Sequence, residues 1–305
     1  MKPLRVLFVA LVAVAAGAGL ASGHGRPALT LNAHFVRFGD RAPQTSGDYA
    51  FLPGEGDGPG WLRDDNTGKV WTVPGPSGCG PDWSSTVIGR GGLLANCGSA
   101  FARYRLPTGT WQTIPNDSDC TNGGPGNATC VPAGIGSRWI ELRTTIEGET
   151  CCGYVYQDLA TGFTRAGITP VAGNIDLSRP DLTPVLCRTF KARASQIWAL
   201  EDGFALLAMA RPNYESALAV DRCGWKRPRV VGTTVGGVAA TPGFFIWQSA
   251  DQRHLRGILL PSARSFVEPL PAGMFGSPQA TDTHLYIQST FGATASWVGT
   301  APRTR

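Results

Sequence analysis

The side chains of this 305-residue sequence that could do chemistry are scattered acids and histidines, without a recognised catalytic spacing. Five carboxylates are candidates for a general acid/base pair, provided that the fold brings two of them together across a central axis: Asp64, Asp65, Glu141, Glu201 and Asp282. The histidines His34, His254 and His284 form no His-x-His or His-Glu-x-x-His pattern, which favours surface or strand positions over a metal site. The sequence also contains no Gly-x-Ser-x-Gly elbow, phosphate-binding loop or sialidase-type Asp box. The sequence therefore allows acid/base catalysis by these carboxylates, but no motif indicates it.

Two loop segments are weaker candidates for binding. Residues 116–123 are rich in oxygen ligands, but their spacing departs from the calcium-loop pattern and is more typical of a solvated turn. Asp82 and Trp83 lie in Cys-Gly-Pro-Asp-Trp-Ser-Ser, where Trp83 could offer a flat surface for a ligand to stack on. The structural alternative is that Trp83 is the first inward-facing residue of a strand. We expect no cofactor and no metal.

Eight cysteines, an even number, indicate an oxidising compartment in which all of them can pair. They contain no Cys-x-x-Cys pair, and the histidines have no zinc-ligand spacing relative to them. The cysteines therefore predict disulfides and not a zinc site.

The elements that position these residues are predicted from a repeated hairpin. Tyr104 and Trp111 enclose six residues containing Thr-Gly, and Tyr156 and Phe163 enclose six residues with the same dipeptide. An aromatic residue ending one strand, a tight turn and an aromatic residue opening the next strand form a β-hairpin. A hairpin reused at intervals of several dozen residues is typical of a β-propeller. The Ala-rich segment 190–209 is split by Glu-Asp-Gly, so it also fits strand, turn and strand better than helix.

Laid in register, the strands give six units of an all-β fold, although five or seven remain possible. The predicted strands are, unit by unit, 60–64 and 69–73; 93–96, 101–106 and 111–114; 139–142, 153–159 and 163–166; 204–209, 217–220 and 229–231; 244–247, 255–260 and 266–270; and 285–288 and 295–298. The sixth unit lacks an outer strand, whereas residues 29–38 form a strand without a unit. We therefore expect residues 29–38 to complete the sixth unit and close the ring, which removes a free strand edge.

The second and third units resemble kelch repeats. In that family a hydrophobic strand ending in Gly-Gly precedes a Tyr and a Trp that are six residues apart. Here Leu93-Leu-Ala-Asn-Cys-Gly stands in place of that strand, with Cys97 and Gly98 replacing the diglycine, and the third unit has Phe163 in place of Trp. The resemblance covers about a third of the chain. It implies a propeller and transfers no functional residue, because the kelch signature positions are structural.

The propeller topology predicts four disulfides among the eight cysteines. When the strands of a blade run from the axis outward, the links between blades and the turns between second and third strands lie on the same face. Cys79 and Cys97 both fall on this face and are expected to pair, and Cys187 is expected to pair with Cys223. In the remaining two disulfides, Cys151 and Cys152 are each expected to pair with one of Cys120 and Cys130, because a bond between adjacent cysteines is strained; which pairs with which stays open.

The N-terminus predicts export. A short basic start is followed by an apolar run over residues 6–21 and by small residues, which is typical of a signal peptide cleaved after Ala21. An uncleaved membrane anchor is the alternative, but the run is short and rich in Ala and Gly. Residues 22–305 then form a single propeller domain, secreted, periplasmic or held at the cell surface. Without Lys2 and Arg5, 25 basic and 22 acidic residues leave a charge of +3, too small for a nucleic-acid binder.

These observations favour a secreted monomer that acts as a binding or interaction module for an extracellular protein or glycan. The alternative is a carbohydrate-active or other extracellular hydrolase or lyase, with acidic residues at the propeller axis.

Overall fold

The computed structural model describes residues 29–30, 33–56, 58–76, 83, 86–97, 100–114, 129–145, 153–166, 177, 194–201, 204–210, 216–222, 224–270, 274, 276–288 and 296–302. These residues form 24 β-strands and no α-helix. No helix among them is long and apolar enough to cross a bilayer. The prediction of an all-β fold is confirmed.

Two short N-terminal strands are followed by three antiparallel sheets of four strands. The N-terminal strands are β1 (Leu29–Thr30) and β2 (Val36–Gly39). The first sheet contains β3 (Gln44–Ser46), β4 (Tyr49–Leu52), β5 (Gly60–Asp64) and β6 (Val70–Val73). The second contains β7 (Val87–Gly89), β8 (Gly92–Asn96), β9 (Phe101–Tyr104) and β10 (Trp111–Ile114). The third contains β11 (Thr129–Ile135), β12 (Trp139–Thr145), β13 (Gly153–Asp158) and β14 (Thr164–Ala166).

The next strands form an eight-stranded sheet that contains two units. Its strands are β15 (Ala194–Glu201), β16 (Phe204–Ala210), β17 (Ser216–Arg222), β18 (Arg229–Thr241), β19 (Phe244–Ser249), β20 (His254–Leu259) and β21 (Arg264–Pro269), with β1 on the outer edge. The 13-residue β18 serves both units. Its beginning pairs with β17 in the fourth unit, and its end pairs with β19 in the fifth.

The last sheet is built from both ends of the chain. It contains β22 (Pro278–Ala280), β23 (His284–Gln288) and β24 (Ser296–Thr300), with β2 as the outermost strand. The segment predicted as one strand over residues 29–38 is two strands instead. β1 runs parallel to β21 of the fifth unit, and β2 runs antiparallel to β24. The prediction of a single strand is wrong because the chain crosses from one sheet to the next between β1 and β2, where Ala33 is buried.

For most of the sheets and units, the first strand contacts the first strand of a neighbour. β3 contacts β7, β7 contacts β11, and β18 contacts β22. β22 in turn contacts β3, so the last sheet lies beside the first. At this junction the Ala280 N–H donates to Thr45 Oγ1 at 3.1 Å. Neighbouring sheets also share hydrophobic cores: first with second, second with third, fourth unit with fifth, and fifth unit with last sheet.

The repeated hairpin is present, with different registers in its two copies. Tyr104 ends β9 and pairs with Trp111 at the start of β10. Tyr156, however, pairs with Arg165, because β13 continues for two more residues to Asp158. The Asp158 carboxylate caps the turn by accepting hydrogen bonds from the next N–H groups, Ala160 and Thr161, at 2.8 and 3.1 Å. Such a side chain substitutes for a backbone acceptor in a tight turn.

Candidate functional site

A cluster of polar side chains lies where the first and last sheets meet. We call it the seam cluster and define it as Arg63, Asp65, Thr281, His284 and Tyr286. The first sheet contributes Arg63 on β5 and Asp65 in the turn that follows. The last sheet contributes Thr281 just after β22, and His284 and Tyr286, which share one face of β23 because side chains alternate along a strand.

Asp65 is the centre of the seam cluster. Its side chain is 0% exposed. The Tyr286 hydroxyl donates to Oδ2 at 2.7 Å and lies 2.9 Å from Oδ1, and the Thr281 hydroxyl donates to Oδ2 at 2.7 Å. Arg63 Nε lies 3.0 Å from Oδ1 and supplies the compensating positive charge. A buried carboxylate is tolerated only when it is paired and hydrogen-bonded, and both Asp65 oxygens meet that requirement.

Tyr286 is fixed as a hydrogen-bond donor by its surroundings. Burial and the negative charge of Asp65 raise the pKa of its hydroxyl well above the usual range. Its ring is held by the edge of Phe38 on β2, with centroids 5.3 Å apart, and by the stacked His284 ring at 6.3 Å. The Tyr286 hydroxyl therefore stays protonated and cannot serve as a base.

The surroundings of His284 favour its neutral form. Burial is the main cause that lowers its pKa and the Arg63 charge adds to it, while the Asp65 charge opposes both. Its Nε2 lies 3.4 Å from Arg63 Nη2, and its Nδ1 lies 2.9 Å from the hydroxyl of Thr283. Because the guanidinium can only donate, we assign the lone pair to Nε2 and the proton to Nδ1. The side chains of Arg63 and His284 are 33% and 24% exposed, so the seam cluster reaches solvent on this side.

Further carboxylates surround the seam cluster. The pKa of Asp48, in the turn between β3 and β4, is raised by burial and by the charges of Asp282, Asp64 and Asp65. The structure therefore brings together three of the five predicted carboxylates: Asp64, Asp65 and Asp282. They meet at the ends of strands and not on the innermost strands. Among the described residues, no group of three or more acids, histidines and cysteines could hold a metal ion.

The other two predicted carboxylates lie elsewhere. Glu141 is on β12, the second strand of the third sheet, directly opposite Tyr156. Burial raises its pKa to about 7. Glu201 ends β15 in the fourth unit. A carboxyl that sequence analysis did not single out, Glu268 on β21, also has its pKa raised to about 7 by burial.

The structure places Trp83 in the core between the first and second sheets. It is 6% exposed, packs against Phe51 and Trp111, and donates its indole N–H to the Gly58 carbonyl at 3.1 Å. This burial argues against a stacking surface, but Trp83 precedes β7 and is not the first residue of a strand. Asp82, the other predicted binding residue, lies outside the described residues.

Two of the eight cysteines lie within the described part of the chain, and both are disulfide-bonded. Cys97 follows β8, at the turn between the second and third strands of its sheet, as predicted. Cys130 lies inside β11, the first strand of the third sheet. The others lie outside the described residues: Cys79, Cys120, Cys151, Cys152, Cys187 and Cys223. Which cysteines pair stays a prediction.

Comparisons with known proteins find similar solved structures but no matching family. No family model and no curated protein matches the sequence. Among solved structures, the chain is similar to an oligogalacturonate lyase in complex with manganese, at 11% identity over 89% of this chain and 97% of that one, with a TM-score of 0.47. It is also similar to YCF48 bound to D1 peptide, at 12% identity over 93% and 100% of the two chains, with a TM-score of 0.43. A third similar structure is the β-propeller domain of Myceliophteria thermophila Cps50 (Swd1), at 10% identity over 88% and 98%, with a TM-score of 0.39.

These likenesses are too distant to transfer a function. The class follows from the sheets themselves: consecutive antiparallel sheets with neighbouring first strands and shared cores are the architecture of a β-propeller-like, all-β protein.

Proposed function

We propose that the protein is a secreted six-bladed β-propeller that serves as an extracytoplasmic binding or interaction module. In this proposal the three four-stranded sheets, the fourth and fifth units and the last sheet are the six blades. The N-terminal strand β2 completes the last blade and closes the ring, and residues 1–21 are a cleaved signal peptide. The contact of β22 with β3 and the pairing of β2 with β24 support the closure.

The observation that carries the proposed role is the state of Asp65. All its hydrogen bonds are made to groups of the two adjoining sheets, so this carboxylate joins sheets and is not free for catalysis. A ring locked in this way is a rigid support for the loops at its ends, where propellers bind their partners. The disulfide-bonded Cys97 and Cys130 support an oxidising destination and braced loops. We propose a protein or glycan ligand and a monomeric state.

The alternative function, an extracellular hydrolase or lyase, is favoured by one observation. Glu141 has a pKa near 7, which suits a general acid or base at neutral pH. A partner carboxyl across the axis is still required for the acid/base pair that this alternative assumes.

One pair of assays on the protein lacking residues 1–21 separates the two functions. We expect saturable binding on a glycan array or to immobilised extracellular proteins, without turnover of a panel of polysaccharide and glycoside substrates. Turnover that is lost in Glu141→Gln but retained in the matched variant Glu268→Gln would contradict the binding-module proposal and support the enzyme. Turnover that is retained in both variants would also contradict the binding-module proposal and would place the chemistry away from Glu141.

A further inference from the structure

The N-terminal segment of residues 29–39 is held by two sheets at once. β1 lies along the outer edge of β21 in the fifth unit, with Leu29 opposite Phe266 and Thr30 opposite Val267. β2 lies on β24 of the last sheet. The stretch of residues 33–35, just before β2, lies over these two sheets: Ala33 is buried, and Phe35 packs on the core that the sheets share.

Glu268 lies directly beneath this stretch. It is 4% exposed, and its Oε1 accepts the Ala33 N–H at 3.2 Å. Its Oε2 is buried and has no hydrogen-bond partner in the described structure. The directly paired residue on β20 is the fully buried Leu255, and Phe266 lies on the same face two residues away. One amide donor and an apolar lining suit a neutral carboxyl and do not satisfy a carboxylate.

Among the described residues, no charged group shifts the pKa of Glu268 towards ionisation. On its own strand, alternation places Arg264 on the same face; on the neighbouring strand it places Arg253 there, and the N-terminal segment contributes His34. The last sheet faces this region with apolar Leu285 and Ile287. The two influences on the pKa of Glu268 are burial, which raises it to about 7, and the Ala33 N–H, which lowers it in part. Charged groups of the neighbouring elements therefore do not offset the cost of burial.

We infer that Glu268 is a proton-controlled latch for the N-terminal segment: the neutral carboxyl keeps the segment docked on the fifth unit and last sheet, and the carboxylate promotes its release. Release lets water reach the carboxylate, which then titrates near its ordinary value. The open form thus binds fewer protons than the docked form between about pH 4.5 and pH 7, so opening increases with pH across that interval. The latch acts on ring closure and does not depend on the identity of any ligand.

Hydrogen exchange measured by mass spectrometry tests the latch on the intact mature protein. After correction for intrinsic exchange rates, we expect peptides covering residues 29–39 to exchange about tenfold faster or more at pH 8 than at pH 5.5. A peptide from β16 in the fully buried core should exchange far more slowly than these peptides at both pH values, because it opens only when the whole domain unfolds. Glu268→Gln keeps the acceptor for Ala33 and removes the titration, so its N-terminal peptides should exchange equally at both pH values. The matched control, Glu141→Gln, should keep the wild-type response.

Three results would overturn the latch. The first is wild-type protection of residues 29–39 that does not change with pH, and the second is a pH response that persists in Glu268→Gln. The third is exchange of residues 29–39 at the same slow rate as β16, because that means that the segment opens only when the whole domain unfolds. If Glu268→Gln fails to fold, Glu268→Met is the second variant, and the wild-type profile must still show a one-proton midpoint near pH 7.

Discussion

Tyr286→Phe removes a single oxygen atom from the seam cluster and isolates the value of its hydrogen bonds to Asp65. The ring packing on Phe38 and His284 is kept, while the buried carboxylate loses the donor that lies within 2.9 Å of both of its oxygens. Hydrogen bonds to charged groups contribute about 1.5–3 kcal/mol, and a buried acceptor left short of donors belongs at the upper end of that range. We therefore expect a loss of about 2–3 kcal/mol in the free energy of unfolding at pH 7.

The assay is urea unfolding followed by tryptophan fluorescence, with thermal unfolding as a second measurement. For a domain of this size the loss corresponds to a decrease in Tm of roughly 5–10 °C. The matched control is Tyr104→Phe, which removes a hydroxyl from a buried tyrosine in the core between the first and second sheets, away from Asp65.

A double-mutant cycle with Asp65→Asn separates the pair from general packing. We expect the two effects to be non-additive by about 1 kcal/mol or more, because both variants act on the same hydrogen bonds. If Tyr286→Phe costs no more than Tyr104→Phe, or if the cycle is additive, the assignment of Asp65 as the lock between first and last sheets is refuted.

Four further predictions concern other parts of the molecule. The free energy of unfolding of the wild type should fall as pH rises from 4.5 to 7, because the folded state binds the Glu141 proton more tightly than the unfolded state does. In Glu141→Gln this fall should be smaller, by at most about 3 kcal/mol over the interval, as measured by urea unfolding at each pH. Ala263 has a φ of 52°, so Ala263→Gly should stabilise the protein by about 1 kcal/mol, and a decrease in Tm would contradict this. A Cβ at Gly257 would overlap the Phe266 ring and the Phe245 carbonyl, so Gly257→Ala should lower the free energy of unfolding by about 3 kcal/mol. The control Gly39→Ala should have little effect, because a Cβ there meets no atom within 4 Å. Non-reducing peptide mapping of exported protein should show Cys97 bonded to Cys79, and a free thiol at either would remove the basis for a shared loop face.

The strands that could be predicted from the sequence are those with a local signal. The Tyr104 and Trp111 hairpin needs only a turn and two aromatic residues close together in the chain, and it forms in the expected register. The segment around Glu201 likewise contains two paired antiparallel strands, β15 and β16, as predicted. β3 was missed because Gln-Thr-Ser carries no hydrophobic alternation; it is a strand because it lies between two sheets.

The candidate site could not be predicted because its contacts are far apart in sequence. Asp65 and Tyr286 are separated by 221 positions, and no local pattern of either residue specifies the other. The sequence carried two weak signals: Asp65 follows the alternating strand β5, and His284 and Tyr286 lie on one face of β23. Trp83 shows the opposite limit. The sequence left open whether its ring faces a ligand or the interior, and tertiary packing against Phe51 and Trp111 buries it.

The continuous strand β18 connects the fourth and fifth units within one sheet. The two units share a single run of backbone, the 13 residues of β18. Local opening of either unit therefore strains the other, and we expect these eight strands to exchange and refold as one cooperative block. Circular permutants that begin in the links between the first three sheets should be tolerated, while a break within residues 229–241 should not. The protein is therefore expected to have fewer cooperative unfolding units than repeated units, and these unfolding units differ in size.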